Sequence, residues 1–590
     1  MVPRTRPRPL VVGDGNDISP EAPTGLISTA TGSFDSITGV TSVSSPIGNS
    51  GTPVSDAYTL QLNTNFFSST TCTASPNPGC QGWEQFVFFN DGSSGDLFIQ
   101  YWLIAYNTNC PAGWNQFSFT GSTEIYCWRN SNNAVAVPNQ PVTNLGQLTL
   151  TGTVSATGDS VTLSTGSNLY SVTGDNSVNA AQGWEAAEFN VFGAGGNSSG
   201  GGEATFNSGS EIVPRVRIFY GGTAAPICTA QGFTGETNNL SFGPTPPAAS
   251  QPGPATIFTE SSGGGAVSNC AASVSVGDTH LLTFNGLFYD FQASGDFVLA
   301  EVGPEIGFQM PRAAETTTLS KGPAVDQTRP SFLLQARQVS GAPTWPNASV
   351  NSAVAARVGD TAVVLCLAPE RLLINGSATA LNDGQSLALT DGIDVSRRGD
   401  VYFVVGPKGN SVRAELNPTW INISVGLGRW PTQVRGLLAN AGGNVNQIAT
   451  RDGRVLTTPF AFDELYQGYA DSWRVPPEES LLSVCDEGEI ERGIPTKPFY
   501  AKDLDPDLYE RTRAVCTAAG VEEGPLLDAC TLDVAVIGQD AAAAVFVGML
   551  APIVEARPVV EKLDSDTLLR LLLVLLILVV AYLLWKLLIE

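Results

Sequence analysis

Between Ala57 and Tyr220 the chain repeats one pattern: short runs of alternating apolar and polar residues, separated by clusters of Gly, Asn, Ser or Asp. The runs read YTLQLN, EQFVFF, LFIQYWLIAY, QLTLTGTV, DSVTLST, EAAEFNVF and VPRVRIFY. A period of two puts every second side chain on one face, and turn residues at this spacing join neighbouring strands as hairpins. The pattern predicts an antiparallel β-sandwich over residues 55–224. Residues 1–54 are rich in Ser, Thr, Gly and Pro without sustained periodicity, and read as a flexible leader. Residues 225–268, which include GPTPPAASQPGPATIFTESSGGGA, read as a Pro/Gly/Ser linker. A second β-rich block spans 269–475, with strands such as VVLCLAP, VYFVVGP and INISVGL and turns such as RGD and PKGN.

The composition changes after Val475. In DPDLYERTRAVCTAAG, Asp505 is placed to cap a helix, Pro506 is its first residue and Gly520 lies past its end. GPLLDACTLDVAVIG repeats the logic with Pro525 and Gly538. A helical Cys-containing module is expected over 476–550, with Cys516 and Cys530 able to clip its two helices. Residues 551–567 read as a juxtamembrane linker. From Leu568 to Ile589 only Arg570 and Lys586 are charged, both near the ends, where they can snorkel. A run of roughly 20 residues, apolar on every side, matches the thickness of a bilayer and predicts one transmembrane helix. The expected fold class is mainly β: an N-terminal antiparallel sandwich, a second β-rich domain with a short helical module, and a C-terminal membrane span.

Charge and cysteine usage narrow the function classes. The 30 basic against 55 acidic residues leave a net charge of −25, which repels phosphate backbones and argues against nucleic acid as a partner. None of the 10 cysteines forms a C-x-x-C pair, and a lone histidine, His280, cannot complete a Cys/His zinc site of the usual spacing. Dispersed cysteines in a β-rich chain fit structural disulfides and an oxidising compartment, with free buried thiols as the alternative. The start, MVPRTRPRPLVV, has a basic run, but its apolar stretch is too short for a signal peptide.

The histidine stands in GDTHLLTFNGLFYDFQASGDF. This stretch resembles the opening of the von Willebrand factor type D domain, whose signature runs Gly-Asp-Pro-His, Thr-Phe-Asp-Gly, Tyr-x-Phe and Gly-Asp/Glu-Phe/Tyr. Here it stands as Gly277-Asp278-Thr279-His280, Thr283-Phe284-Asn285-Gly286, Tyr289-Asp290-Phe291 and Gly295-Asp296-Phe297. GLLANAGGNVNQIATRDGRVL looks like the family's Gly-Leu-Cys-Gly-Asn loop, and YADSWRV looks like its closing Trp segment. AVCTAAGVEEGPLLDACTLDV is similar to the small helical module that often follows. The resemblance covers about residues 270–540. It implies binding or adhesion at a cell surface or in a matrix, with an extracellular protein or glycan as ligand.

The resemblance also implies calcium, held between the acidic residue of Thr-Phe-Asp-Gly and the Asn/Asp-rich loop. The matching positions are Asn285, Asn440, Asn444 and Asn446, whose neutral amides supply oxygen without charge, so a weak site is expected. The alternative is that these asparagines satisfy backbone groups in a tight turn. Thr279 replaces the proline of the Asp-Pro bond at which some members break their chain, so that bond is expected to stay intact. Leu438 stands where the family has a cysteine, leaving Cys270 to another partner, for which Cys366 is a candidate. His280 is read as a hydrogen-bonding residue of the first strand, since no Ser or Cys nucleophile sits in a recognisable motif nearby.

In the first domain, Gln85 of WEQFVFF and Glu188 of GWEAAEFNVF resemble, over short stretches, the Gln/Glu pair of the fungal glutamic peptidases. That likeness implies a carboxylate that activates water and an amide that holds the oxyanion. Trp83, Trp102 and Trp184 are candidates for core or for a sugar platform. The expectation is a membrane-anchored surface protein that binds or adheres. A surface hydrolase or a carbohydrate-binding protein, acting through the sandwich, is the alternative.

Overall fold

The computed structural model describes residues 2–3, 12–48, 51–197, 200–243, 245–263, 269–303, 330–342, 345–389, 392–485 and 492–558. They fall into two compact units. One comprises Met1–Val274, Ala300–Leu334 and Val354–Val434, the other Ser275–Leu299, Gln335–Ala353 and Arg435–Glu590. The type D-like block expected over 269–475 is therefore divided, with 300–334 and 354–434 grouping with the sandwich.

The first unit holds ten principal sandwich strands. They are β1 (Thr29–Thr38), β2 (Ala57–Thr64), β3 (Gln81–Asp91), β4 (Ser94–Ile104) and β5 (Tyr126–Asn130). β6 (Leu148–Thr153), β7 (Ser160–Thr165), β8 (Leu169–Thr173), β9 (Ala187–Phe192) and β10 (Glu211–Phe219) follow. One antiparallel sheet runs β9-β2-β3-β4-β5 and the other β8-β7-β6-β1-β10. Tyr58, Leu60 and Leu62 of β2, Phe86 and Phe88 of β3 and Phe189 of β9 pack between the sheets against Leu150, Val161, Val216 and Ile218. Each such side chain contributes about 1.5–3 kcal/mol through burial. Two glycines make the fit: a Cβ at Gly32 would lie 2.1 Å from the Phe189 ring, and one at Gly152 would lie 2.2 Å from the Phe86 ring.

Two expectations about this region are corrected. The described residues of 1–54 do not form a flexible leader, because β1 is an inner strand of the second sheet, and Ile18–Glu21, Val43–Pro46 and Pro53–Ser55 are strands as well. In β1 the buried positions are Ala30, Gly32 and Phe34, and small residues are what the facing aromatic rings require. Nor is 225–268 a free linker. Ala255–Ile257 pairs with β10, and Ala248–Ser250 pairs with Ala255–Ile257 at the sheet's edge, where prolines do least harm. Ile227–Ala230 pairs with Ile18–Glu21. The same unit carries a meander of Ser386–Ala388, Asp394–Arg398, Val401–Val405, Ser411–Leu416 and Ile421–Leu427.

In the second unit His280–Leu282 pairs antiparallel with Leu287–Asp290, whose Leu287–Tyr289 pairs parallel with Val554–Ala556. That last pairing places part of the expected juxtamembrane linker in a sheet. The helical hairpin forms as α1 (Pro506–Ala519) and α2 (Pro525–Ile537). The Asp505 side chain accepts from the Asp507 N–H, and Gly520 (φ 98) ends α1 in the left-handed conformation that glycine adopts without strain. The helices differ in role: α1 buries only Thr512 and Cys516, whereas α2 is buried from Leu527 almost continuously to Ile537.

The disulfides are Cys72–Cys80, Cys110–Cys127, Cys228–Cys270 and Cys516–Cys530, and Cys366 and Cys485 are oxidised as well. Cys270 thus pairs with Cys228 rather than Cys366, because the supposed linker folds back and brings Cys228 to it. The apolar run 568–589 lies outside the described residues. Among the described residues no helix is long and apolar enough to cross a membrane.

Candidate functional site

Alternation in the first sheet puts its core residues on one face and a polar row on the other. In the strand register Glu188 of β9 faces Asn63 of β2, Asn63 faces Gln85 of β3, Gln85 faces Gln100 of β4, and Gln100 faces Asn130 of β5. The sequence candidates Gln85 and Glu188 therefore lie on one face, with Asn63 between them. Asn63 Nδ2 donates to Glu188 Oε2 at 2.9 Å, and Gln85 Nε2 donates to Asn63 Oδ1 at 3.2 Å and to Gln61 Oε1 at 2.9 Å. Trp102 Nε1 donates to Gln85 Oε1 at 3.0 Å, and Gln100 Nε2 donates to Asn130 Oδ1 at 2.8 Å.

A strap, Gly232–Glu236, lies on this row. The backbone N–H groups of Phe233 and Thr234 donate to Glu188 Oε2 at 2.9 and 3.0 Å. With Asn63 they make three donors on one oxygen. A Cβ at Gly232 would lie 2.5 Å from Glu188 Oε1, so only glycine lets the strap come this close. Glu188, Asn63 and Gln85 are 0% exposed. The pair assembled as a hydrolytic centre would be is thus covered by the strap. Burial, with Glu188 and Glu260 nearby, holds Asp17 well above the usual carboxylate range, and burial pushes Glu260 up to about 7. Asn190 Nδ2 bridges the two, donating at 3.2 Å to Asp17 Oδ2 and at 2.5 Å to Glu260 Oε1.

The tryptophans form no open platform. Trp184 packs against Phe86 between the sheets, at 5.7 Å between ring centroids. Trp83 and Trp102 are buried with Phe233 and Tyr126 in an aromatic cluster under the strap.

In the second unit His280 is 1% exposed and spans three carboxylates. Its Nδ1 lies 2.6 Å from Asp290 Oδ1, and its Nε2 lies 2.7 Å from Asp278 Oδ1 and 3.1 Å from Asp533 Oδ1. The Asp278 N–H donates to Asp533 Oδ1 at 2.9 Å. Phe288 stacks on the imidazole at 5.6 Å. Burial opposes the charge on His280, but Asp278, Asp533 and Asp290 outweigh it and hold the imidazole well above its ordinary value. Burial together with Asp533 raises the Asp278 carboxyl, although His280 draws it down. Only Nδ1 makes a hydrogen bond, to Asp290 Oδ1, while Nε2 faces Asp278 and Asp533 as an ion pair without a hydrogen bond of good geometry among the described residues. Asp278, His280 and Asp533 offer three potential metal ligands. His280 Nε2 and Asp278 Oδ1 lie 2.7 Å apart, yet these atoms and Asp533 Oδ2 are buried without a hydrogen-bond partner among the described residues. Thr279 takes φ 65, unusual for a β-branched residue, and its Oγ1 donates to Ser349 O at 2.7 Å.

The asparagine loop gives a mixed result. Asn440 Nδ2 donates to the carbonyls of Asn444, Val445 and Gln447 at 3.2–3.3 Å, closing the turn. Asn444 Oδ1 accepts from the Asn446 N–H, and Asn446 Oδ1 accepts from Thr458 Oγ1. Asn285 reaches the same turn: its Nδ2 is 3.8 Å from where a Cβ on Gly443 would be. Asn440 Oδ1 is buried with no hydrogen-bond partner among the described residues, while the side-chain oxygens of Asn444 and Asn446 are occupied.

Sequence reasoning missed Asn63, Gln61 and Gln100, which lie on strands other than that of Gln85 and are brought to its face by strand register. It also missed Asp533, the one charged residue inside the apolar run ACTLDVAVIG. No family model matches the chain, and no curated protein matches it.

Proposed function

We propose that the chain is a membrane-anchored cell-surface protein that works by binding or adhesion, built on a von Willebrand type D-like module. One observation carries this reading: the motif blocks that suggested it, far apart in sequence, meet in one unit. The Phe284 N–H donates to Leu438 O at 3.1 Å, and Tyr289 Oη donates to Leu437 O at 2.6 Å. The Val475 N–H donates to Asp296 O at 2.7 Å, and Arg474 lies over the Phe297 ring at 4.8 Å. Oxidised cysteines throughout fit the extracellular placement. The ligand class is an extracellular protein or glycan.

The full chain in lipid vesicles tests this. Capture of the vesicles on a surface coated with extracellular-matrix extract, without hydrolysis of peptides between pH 3 and 7, is the expected result. The row Glu188–Asn63–Gln85 favours a glutamic-peptidase-like second reading, which requires the strap to leave. Peptide hydrolysis that disappears in Glu188→Gln would replace the binding reading with that one.

Weak calcium binding belongs to the same proposal. Asn440 Oδ1 would be a ligand, with Asn285, Asn444 and Asn446 around it, and neutral amides put the affinity in the weak extracellular range of about 10⁻⁴ to 10⁻³ M. Calcium at ten times its Kd adds only about 1.4 kcal/mol to folding. A small calcium-dependent rise in Tm, absent in Asn440→Ala, is expected. A micromolar Kd, or no rise at all, would count against it.

A further inference from the structure

The hairpin Asp394–Arg398/Val401–Val405 pairs Arg398 with Val401, which leaves Gly399 and Asp400 as a two-residue turn. Gly399 has φ 59 at the first turn position, where a hairpin turn of this kind calls for glycine. Arg398, Gly399 and Asp400 are all exposed. The backbone of this tip is clamped from several sides. The Gly399 N–H donates to Asp383 Oδ1 at 2.6 Å, Arg397 Nε donates to Gly399 O at 2.9 Å, and the Leu416 N–H donates to Asp400 O at 2.9 Å. Arg397 is itself held, over the Tyr402 ring at 4.9 Å and 3.1 Å from Glu370. By contrast, neither the Arg398 guanidinium nor the Asp400 carboxylate has a hydrogen-bond or ion-pair partner among the described residues.

A fixed backbone with two unspent opposite charges is the reverse of an ordinary solubilising tip, where the loop itself is loose. The Cα atoms of Arg398 and Asp400 are two peptide units apart, at most about 7.6 Å, so one receptor cleft spans both charges. A carboxylate is a hard ligand for a divalent cation, and a guanidinium pairs with carboxylates through its planar fork. Prior ordering of the backbone reduces the entropy lost on binding.

We propose that the Arg398-Gly399-Asp400 tip is the contact point for an adhesion receptor that ligates the aspartate through a bound divalent cation and takes the arginine in an acidic pocket. This rests on the adhesion reading above and names the partner's chemistry.

The test uses the full chain on a sensor surface, with a soluble integrin ectodomain that reads Arg-Gly-Asp peptides as probe, in millimolar Mn²⁺. Binding is expected, is abolished by EDTA, and weakens at least tenfold in Asp400→Glu, which keeps the charge but moves it out by one methylene. Arg398→Gln should weaken it comparably. Both side chains are exposed and unpartnered, so thermal unfolding of the variants should match the parent protein and a folding defect would be visible. Absence of binding, binding that survives EDTA, or equal binding by Asp400→Glu overturns the proposal. Vesicle capture on matrix extract, run with the same variants, separates the two readings. Capture that persists in Asp400→Glu while ectodomain binding is absent sinks the tip and leaves adhesion standing. Capture absent from the unaltered protein sinks adhesion, whatever the ectodomain does.

Discussion

His280 sets one imidazolium against three carboxylates, and removing it would leave Asp278, Asp533 and Asp290 facing one another in a site that is mostly dry. His280→Gln should cost about 3–5 kcal/mol in urea denaturation at pH 7, the range for breaking a buried ion pair. The deficit should shrink toward pH 4, where the raised Asp278 carboxyl can take up a proton itself. In the unaltered protein the raised histidine contributes stability that is complete below about 6.5 and is lost as pH climbs through its higher folded value. A deficit that does not vary with pH would refute the ion-pair account. Glu84 and Asp159 make a second case, inside the sandwich. Glu84 is fully buried, neither of its oxygens has a hydrogen-bond partner among the described residues, and the Asp159 carboxyl lies close enough to raise it further. Burial raises Glu84 well above the carboxylate range and pushes Asp159 up to about 7. Raised carboxyls mean stability that is present at acid pH and lost as pH rises from about 4 through 7. Glu84→Gln places a permanent amide donor on the Asp159 carboxylate. It should raise stability at pH 8 by about 1–3 kcal/mol and do little at pH 4, as read from urea midpoints at the two pH values.

Among the elements, the helical hairpin was the most legible from sequence, because caps are local chemistry: Asp505, Pro506 and Gly520 act within one turn of the helix they bound. Its disulfide joins residues 14 apart in sequence. Replacing both Cys516 and Cys530 with serine should therefore cost about 3 kcal/mol, since the loop closed in the unfolded chain is short. An unchanged urea midpoint would show that packing of α2 alone holds the hairpin. The element least legible was β1. TATGSFDSIT has the Ser, Thr and Gly content of an unstructured segment, and its two-residue period is carried only by Ala30, Gly32 and Phe34. Small residues there fit because Phe189 from the facing sheet fills the space above Gly32, which no local pattern reports.

For the molecule as a whole, the membrane placement proposed above rests on the apolar run 568–589. Deleting residues 567–590 is expected to release the protein from membranes into the supernatant, and retention in the pellet after a high-salt wash would reject the anchor. Several properties were settled by the sequence alone: a mainly β chain, strands where the period is two, helix ends where the caps are, and cysteines suited to disulfides. Each depends on neighbours a few residues apart, whose geometry is set by backbone dihedrals and side-chain period. Gln85 and Glu188 could be named in the same way, but their relation could not. Strand register put Asn63 between them, and the strap from Gly232 to Glu236 closed over Glu188. Likewise only the tertiary structure brought Asp533 to Asp278, 255 residues away, and Cys228 to Cys270 in place of the partner expected. Such meetings are decided by which faces of sheets and helices must be buried together, a condition of the whole chain that no short window of sequence contains.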